Sequence, residues 1–296
     1  MNDPDNSGNN VNDSSQRVAH ATLYVVATPI GNLADISARA VEVLGSVGAI
    51  AAEDTRVTRH LLDHCGISAR LIALHEHNEE RAARDVLDIL SGGQNVALVS
   101  DAGTPAISDP GARLVGLARA AGYAVSPIPG ANAAAAAVSV SGFLSPHFLF
   151  DGFLPARVGA RRTELAALTA LTYSLVFYEA PHRVAESVAD IAATFGPARR
   201  ILFARELTKL FEETHVCALN EAQDWLAANE HRAKGEFVLV VEGAADSSAT
   251  EAVDVEKTLK ALLDELPLKQ AVALAVKITG GSRNELYQRA LELKGE

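Results

Sequence analysis

Val96-Ala97-Leu98-Val99-Ser100-Asp101-Ala102-Gly103-Thr104-Pro105-Ala106-Ile107-Ser108-Asp109-Pro110-Gly111 is the stretch that decides the fold. The apolar run Val96–Ser100 reads as a buried strand. It opens into the Gly- and Pro-rich loop Ser100–Gly111, and a helical pattern follows from Pro110 to Ala121. Going forward, the strand Ala124–Ile128 leads through Pro127–Asn132 into an Ala-rich helix from Asn132 to Val140. Going backward, the same rhythm recurs. A helix at Asn78–Leu90 follows the run Leu71–Leu74, a helix at Thr55–His64 follows the strand Ala49–Ala52, and the strand Leu23–Ala27 runs through the loop Thr28–Asp35 into a helix from Ile36 to Val47. Strands alternating with short helices predict βαβ units and a parallel sheet.

Beyond Leu144 the pattern changes. Leu144–Pro155, with two prolines and several Phe residues, reads as a connector into a second α/β block. Its predicted strands are Ser174–Tyr178, Ile201–Ala204 and Phe237–Glu242, and its helices lie near 182–194 and 221–231. Small polar residues after Gly243 mark a linker. The remainder, from Asp254, is helical in pattern. The expected division is a disordered tail at 1–20, an N-terminal α/β domain at 21–144, a C-terminal α/β domain at 145–243, a linker at 244–253 and a helical extension at 254–296.

Composition narrows the function classes. Hydrophobic residues make up 48% and charged residues 21%, enough to build a core, and aromatics at 5% leave that core to Ala, Val and Leu. The net charge of −11 argues against coating nucleic acid by bulk electrostatics, though not against local basic patches. Cys65 and Cys217 are far apart and no secretory signal precedes them, so a reduced, cytoplasmic setting is expected. The Asn-, Asp- and Ser-rich start is unlike a targeting peptide, and no apolar run reaches the roughly 18 residues that cross a bilayer.

Ligands of open α/β sheets bind where strands end and helices begin. Three loops occupy such places here: Thr28–Asp35, Ser100–Gly111 and Pro127–Asn132. Glycine lets a backbone approach closely and proline fixes the turn. Taken singly, each is equally well a tight turn with a helix cap such as Asp109 or Asn132. Neither G-x-G-x-x-G nor a phosphate-binding G-x-x-x-x-G-K-[ST] occurs, so a dinucleotide dehydrogenase or a P-loop hydrolase is not expected.

Seven strings then carry a resemblance: 26–35 (VATPIGNLAD), 51–56 (AAEDTR), 97–111 (ALVSDAGTPAISDPG), 152–155 (GFLP), 177–183 (FYEAPHR), 204–209 (ARELTK) and 234–243 (KGEFVLVVEG). In this order they resemble the ribosomal RNA small subunit methyltransferase I family, and the likeness runs from Leu23 to the C-terminus. The resemblance implies the fold of the tetrapyrrole methylase superfamily, two α/β domains with the methyl donor S-adenosylmethionine in the cleft between them, as a homodimer. It also implies 2′-O-methylation of a cytidine in the decoding region of 16S rRNA, with the 30S subunit as partner. One departure stands out: the family's third loop reads Pro-Gly-Pro, whereas this chain has Pro129-Gly130-Ala131-Asn132. A looser turn is expected there, with Asn132 still able to cap its helix.

Carried over loop by loop, the resemblance nominates Pro29, Asp101, Ala102, Gly103, Thr104, Asn132 and Ala133 for the cofactor. A ribose hydroxyl needs a proton acceptor, and the candidates are Glu53, Asp54, Glu179 and His182. Glu53-Asp54 is also an acidic pair suited to a helix N-terminus, and Pro181 to a first helical position. His75, His77 and Asn78 join the substrate side. Their spacing is not H-E-x-x-H, and no metal is expected.

Cations suited to RNA are Arg56, Arg183, the cluster Arg157, Arg161 and Arg162, and, in the extension, Lys269, Lys277, Arg283 and Arg289. The helix–glycine turn–helix at 267–294 resembles a helix-turn-helix unit, and an ordinary solvated hairpin is its alternative. Two rival functions stay open: a small-molecule methylase acting on a tetrapyrrole precursor, and a non-catalytic rRNA-binding assembly factor.

Overall fold

The computed structural model describes residues 21–75, 77–245 and 255–294. The expected tail at 1–20 and most of the expected linker, 246–253, lie outside them. The first sheet is parallel, with β1 (Thr22–Val26), β2 (Ala49–Ala52), β3 (Leu71–Ala73), β4 (Val96–Val99) and β5 (Ala124–Ile128) in the order β3-β2-β4-β1-β5. Strands β2 and β4 are buried along their whole length, as expected of parallel strands covered on both faces. On one face Leu23, Val96 and Leu98 pack against α3 (Glu79–Ser91) and α4 (Ala112–Ala120). On the other, Val26, Ile50 and Val99 pack against α1 (Ala38–Ser46) and α2 (Thr55–His64).

The second sheet is mixed: β6 (Phe148–Phe153), β7 (Ser174–Glu179), β8 (Arg200–Arg205), β9 (Glu213–Ala218) and β10 (Phe237–Val241) lie in the order β6-β7-β10-β8-β9. Only β6–β7 is parallel, and β10 runs antiparallel to both its neighbours. The segment expected as a connector therefore contains an edge strand, β6, bulged between Phe150 and Gly152. The other edge, β9, and the helix α6 (Val158–Leu168) are likewise additional to the expected elements.

One face of this sheet is covered by α6, α7 (Val184–Phe195) and α8 (Ala222–Ala227). The other receives α5 (Ala133–Ser139), which follows the first sheet in sequence but buries Ala134 and Ala137 against Val176, Leu202, Ala204, Val238 and Val240 of the second. The extension forms three helices, α9 (Val255–Glu265), α10 (Leu268–Thr279) and α11 (Arg283–Lys294), around its own core of Leu259, Val272, Ala275, Leu286 and Ala290. Gly280, left-handed at φ 68°, ends α10. Among the described residues no helix is long and apolar enough to cross a membrane.

Arg161, expected at an RNA surface, is instead inside the second domain. It is 1% exposed, and its Nε donates to Asp190 Oδ2 at 2.7 Å, linking α6 to α7. Arg162 bonds the other carboxylate oxygen at 2.7 Å from a largely exposed position. Burial works against ionisation of Asp190, but hydrogen bonds from Arg162 and Arg161 outweigh it and hold the carboxyl below its usual range.

Removing one member of such a pair leaves a buried charge without compensation. Asp190→Ala is expected to destabilise the fold by about 3–5 kcal/mol in urea unfolding at pH 7. A lowered folded-state pKa means the stabilisation is complete above the unfolded carboxylate value of about 3.9 and fades as pH falls through the folded one. The stability difference between the wild type and Asp190→Asn is therefore expected to shrink as pH falls below about 4.

Candidate active site

A cleft of about 370 Å³ opens between the two sheets at the carboxyl ends of β4 and β5 and beside α5. This volume lies within the ordinary range of small-molecule sites. The first domain lines it with Ile30, Glu53, Asp101–Thr104, Ile107–Asp109, Asn132 and Ala133, and the second with Phe153, Tyr178–Pro181, Ala204, Leu207 and Glu236–Val238.

Backbone contacts fix the first-domain loops. Thr28 and Gly103 exchange N–H···O bonds of 2.8 and 3.0 Å, so the loops after β1 and β4 form one bridge. Gly103 sits at φ 76°, where a side chain is strained. A Cβ on Gly130 would lie 2.9 Å from the Cβ of Ala27, so only glycine allows the third loop to pass this close to β1. The departure at Ala131 leaves this loop anchored. Thr104 Oγ1 donates to the Ala131 carbonyl at 3.2 Å, and Asn132 caps α5 by accepting from the Ala135 amide at 2.9 Å. Ala106 and Ser108 are non-glycine residues in the left-handed region, at φ 65° and 64°. Such strain concentrates at functional loops.

The carboxylates form a linked set. The Asp54 amide donates to Asp101 Oδ1 at 2.9 Å, and the Asp101 amide donates to Glu53 Oε2 at 3.3 Å. Burial pushes the Glu53 carboxyl up; the bond from the Asp101 amide opposes this, and the neighbouring charges of Asp109, Asp101 and Asp54 reinforce it. Burial also raises the Asp109 carboxyl, against a hydrogen bond with Ser100. Asp54 differs: hydrogen bonds from Arg56 bring it down to about 2. It caps α2 by accepting from the Arg56 amide and grips the Arg56 guanidinium, so both charges are already matched.

The structure brings six of the seven nominated cofactor residues, Asp101, Ala102, Gly103, Thr104, Asn132 and Ala133, to the main cleft. Pro29 is buried and lines an adjoining depression with Gly31, Lys209 and Glu236. Of the nominated proton acceptors, Glu53 faces the cleft. Glu179 also lines the cleft, with its carboxylate buried and accepting from Ser187 Oγ at 2.5 Å and from the Ala180 amide at 2.9 Å. Arg183 lies 3.3 Å from the same carboxylate and donates to the Leu154 carbonyl, so it braces the turn after β7 and is not free for a phosphate.

His182 is exposed and lies outside the cleft lining. His75, His77 and Asn78 build a turn before α3, where the Asn78 carboxamide accepts from the His75 amide and donates to the Ala73 carbonyl, both at 2.9 Å. Arg157 is exposed at the start of α6. Arg289 is ion-paired with Glu256 and Glu292.

Among the cleft residues that sequence reasoning missed are Tyr178 and Asp109. Tyr178 looks like strand core in sequence, yet it stands in the cleft wall, edge-on to Phe150 and Phe153 at 4.9 and 5.7 Å. Burial raises its hydroxyl pKa. Asp109 reads in sequence only as a helix cap, yet it lines the cleft. Its place at the end of a long polar loop was the available signal.

Comparison with known proteins agrees with this architecture. The profile of Tetrapyrrole (Corrin/Porphyrin) Methylases matches residues 22–223, and that of the RsmI C-terminal HTH domain matches residues 249–294. Ribosomal RNA small subunit methyltransferase I of Escherichia coli O157:H7 is 51% identical over 273 residues, covering 92% of this chain and 96% of its own. Its namesake from Pseudomonas aeruginosa is 49% identical over 277 residues, covering 93% and 98%.

Among solved structures, the methyltransferase CobJ superposes with a TM-score of 0.57 at 21% identity, over 76% of this chain and 95% of its own. The cobalt precorrin-4 methyltransferase CbiF gives 0.59 at 16% identity, over 76% and 96%. A uroporphyrin-III C-methyl transferase from Thermus thermophilus, complexed with S-adenyl homocysteine, gives 0.53 at 16% identity, over 75% and 97%. Identities this low establish a common fold, and the relatives near 50% establish the family. The chain belongs to the ribosomal RNA small subunit methyltransferase I family, built on the tetrapyrrole methylase fold.

Proposed function

We propose that this protein transfers a methyl group from S-adenosylmethionine to the ribose 2′-oxygen of a cytidine in the decoding region of 16S rRNA. It does so in the cytoplasm, as a homodimer, on RNA carried in the 30S subunit. The observation that carries this reading is the 51% identity to a protein named ribosomal RNA small subunit methyltransferase I, over nine-tenths of both chains.

The cleft fits a donor bearing an ammonium and a sulfonium. Asp101, Glu53 and Asp109 supply negative charge, and Ala102, Gly103 and Ala133 leave the wall free of bulk. Bound there, S-adenosylmethionine supplies a methyl group already activated on a sulfonium sulfur. The protein's remaining tasks are to align an oxygen and receive its proton. Asp101, oriented by the Asp54 amide at Oδ1, offers its second oxygen to a cationic group. Ile30, Ile107, Phe153 and Leu207 keep water away and strengthen the field of the carboxylates. Glu53 is the best proton acceptor of the nominated set: it lines the cleft, and desolvation makes its carboxylate more basic.

The direct test is transfer of labelled methyl to 30S particles that lack the modification, followed by nuclease mapping. Label in a ribose-methylated cytidine of 16S rRNA is the expected result. Donor binding without transfer to 30S or to naked 16S rRNA would move the assignment to a small-molecule methylase, and rRNA binding without donor binding would move it to an assembly factor.

Two expectations concern the carboxylates. Glu53→Gln is expected to lower kcat by about 10²–10⁴ with donor affinity retained in titration calorimetry. A comparable loss in Asp109→Asn alone, with Glu53→Gln active, would transfer the role to Asp109. Asp101→Ala is expected to weaken donor binding itself. Because Glu53 must be ionised to accept a proton and its pKa is raised, the acid limb of the kcat/KM profile should lie above the ordinary glutamate value of about 4.3 and rise with pH.

A further inference from the structure

Two helices of the extension enclose a second hollow that the methyl-transfer cleft does not use. It measures about 290 Å³ and is lined by Lys269, Val272, Arg283, Asn284, Tyr287 and Gln288. Four of these come from the first turns of α11. Arg283 and Tyr287, and Asn284 and Gln288, are i,i+4 pairs on adjacent rows, so they share one face. Lys269 and Val272 face them from the start of α10.

The charges within the extension are unequal in availability. Arg289 is held by Glu256 Oε2 at 2.6 Å and by Glu292 Oε2 at 2.7 Å, so its charge is met inside the unit. The hollow contains two cations and no carboxylate. It lies in a segment with seven Lys or Arg against five Asp or Glu between residues 255 and 294, in a chain whose net charge is −11. Tyr287 is half-buried against the extension's core, so its ring is already ordered before any partner arrives.

The geometry points to this hollow as the place where the extension grips a single-stranded or loop segment of ribosomal RNA. The inference rests on the rRNA reading above and adds the surface that holds the substrate. Lys269 and Arg283 meet successive phosphates and set position. Tyr287 offers a supported face on which a base stacks. Asn284 and Gln288 each carry an amide donor and acceptor, which match base edges or a 2′-hydroxyl. An acidic peptide would satisfy the two cations but would leave the ring and the paired amides unused, so RNA is the occupant that uses every polar lining side chain.

The test measures binding of the full-length protein to naked 16S rRNA and to unmodified 30S particles across a salt series. For two phosphate contacts on single-stranded RNA, Lys269→Ala/Arg283→Ala is expected to flatten the log–log salt slope by about 1.4. It should also raise KM for 30S, with S-adenosylmethionine affinity unchanged. Lys260→Ala, an exposed cation on α9 outside the hollow, is expected to keep the wild-type slope. Tyr287→Ala should weaken binding by about fivefold or more and Tyr287→Phe should restore it, which separates stacking from loss of the hydroxyl.

A wild-type salt slope and KM in Lys269→Ala/Arg283→Ala, with rRNA still methylated, would overturn the groove assignment and leave the proposed function standing. A wild-type protein that neither binds nor methylates rRNA would instead overturn the function, and the groove assignment with it.

Discussion

The cleft depends above all on where α5 is buried. This helix leaves the first sheet and packs on the second, so its position sets the distance between the two walls. Its start is held against β1 by the approach of Gly130 to Ala27, and its loop by the bond from Thr104 to the Ala131 carbonyl. Its inner face is Ala134 and Ala137, the smallest side chains that still bury apolar area. A larger residue at either position would push the helix off the sheet, because cores tolerate added volume poorly. The alanine richness of this segment is thus a distance constraint, and Asn132 and Ala133 in the cleft are placed by it.

With the walls fixed, the loops concentrate negative charge. Like charges brought together in a partly dry site repel one another, and the backbone relieves some of that cost. The Asp101 and Asp54 amides point at carboxylate oxygens of Glu53 and Asp101, so the chain that supplies the acids also supplies their first hydrogen bonds. The interlocked bridge between Thr28 and Gly103 and the left-handed Ala106 and Ser108 keep this arrangement from relaxing. A cationic ligand would complete the balance, which is the electrostatic reason a sulfonium donor suits the site.

The first sheet was legible in the sequence because its strands are unbroken apolar runs that end in Gly- and Pro-rich loops. The second was less so, for identifiable reasons. Strand β9 reads Glu-Thr-His-Val-Cys-Ala, an edge strand whose inner row carries the polar Glu213 and His215, the latter stacked on Trp225, while Val216 faces outward. Strand β6 is interrupted by a bulge beside Gly152 and flanked by proline, which mimics a connector. Helix α6 places Arg161 on its buried face and so loses its apolar period. The same cause misled the reading of the site. Arg161 and Arg183 read in sequence as RNA contacts and Glu179 as a proton acceptor, but their partners come from segments up to 29 residues away, which only the fold brings near. Loop residues such as Asp101 and Gly103 were legible because their composition has no other purpose in a strand-to-helix turn. Tyr178 and Asp109 acquire their surroundings only across the two sheets.

An acidic cleft and an RNA substrate pull in opposite directions. Every RNA nucleotide carries a phosphate, and Glu53, Asp101 and Asp109 repel phosphates at short range, where screening is weakest. The cleft therefore favours the donor and disfavours the backbone of the acceptor, and affinity for RNA has to be supplied elsewhere. The first domain's Arg56 is held by Asp54, and the second domain's Arg161 and Arg183 are committed to internal carboxylates and carbonyls. Besides the exposed Arg157 at the start of α6, a separate helical unit with its own core offers an excess of positive charge. Keeping the gripping surface apart from the reacting surface lets each carry the sign of charge its own chemistry needs. A single surface could not hold phosphates tightly and keep basic carboxylates beside a sulfonium.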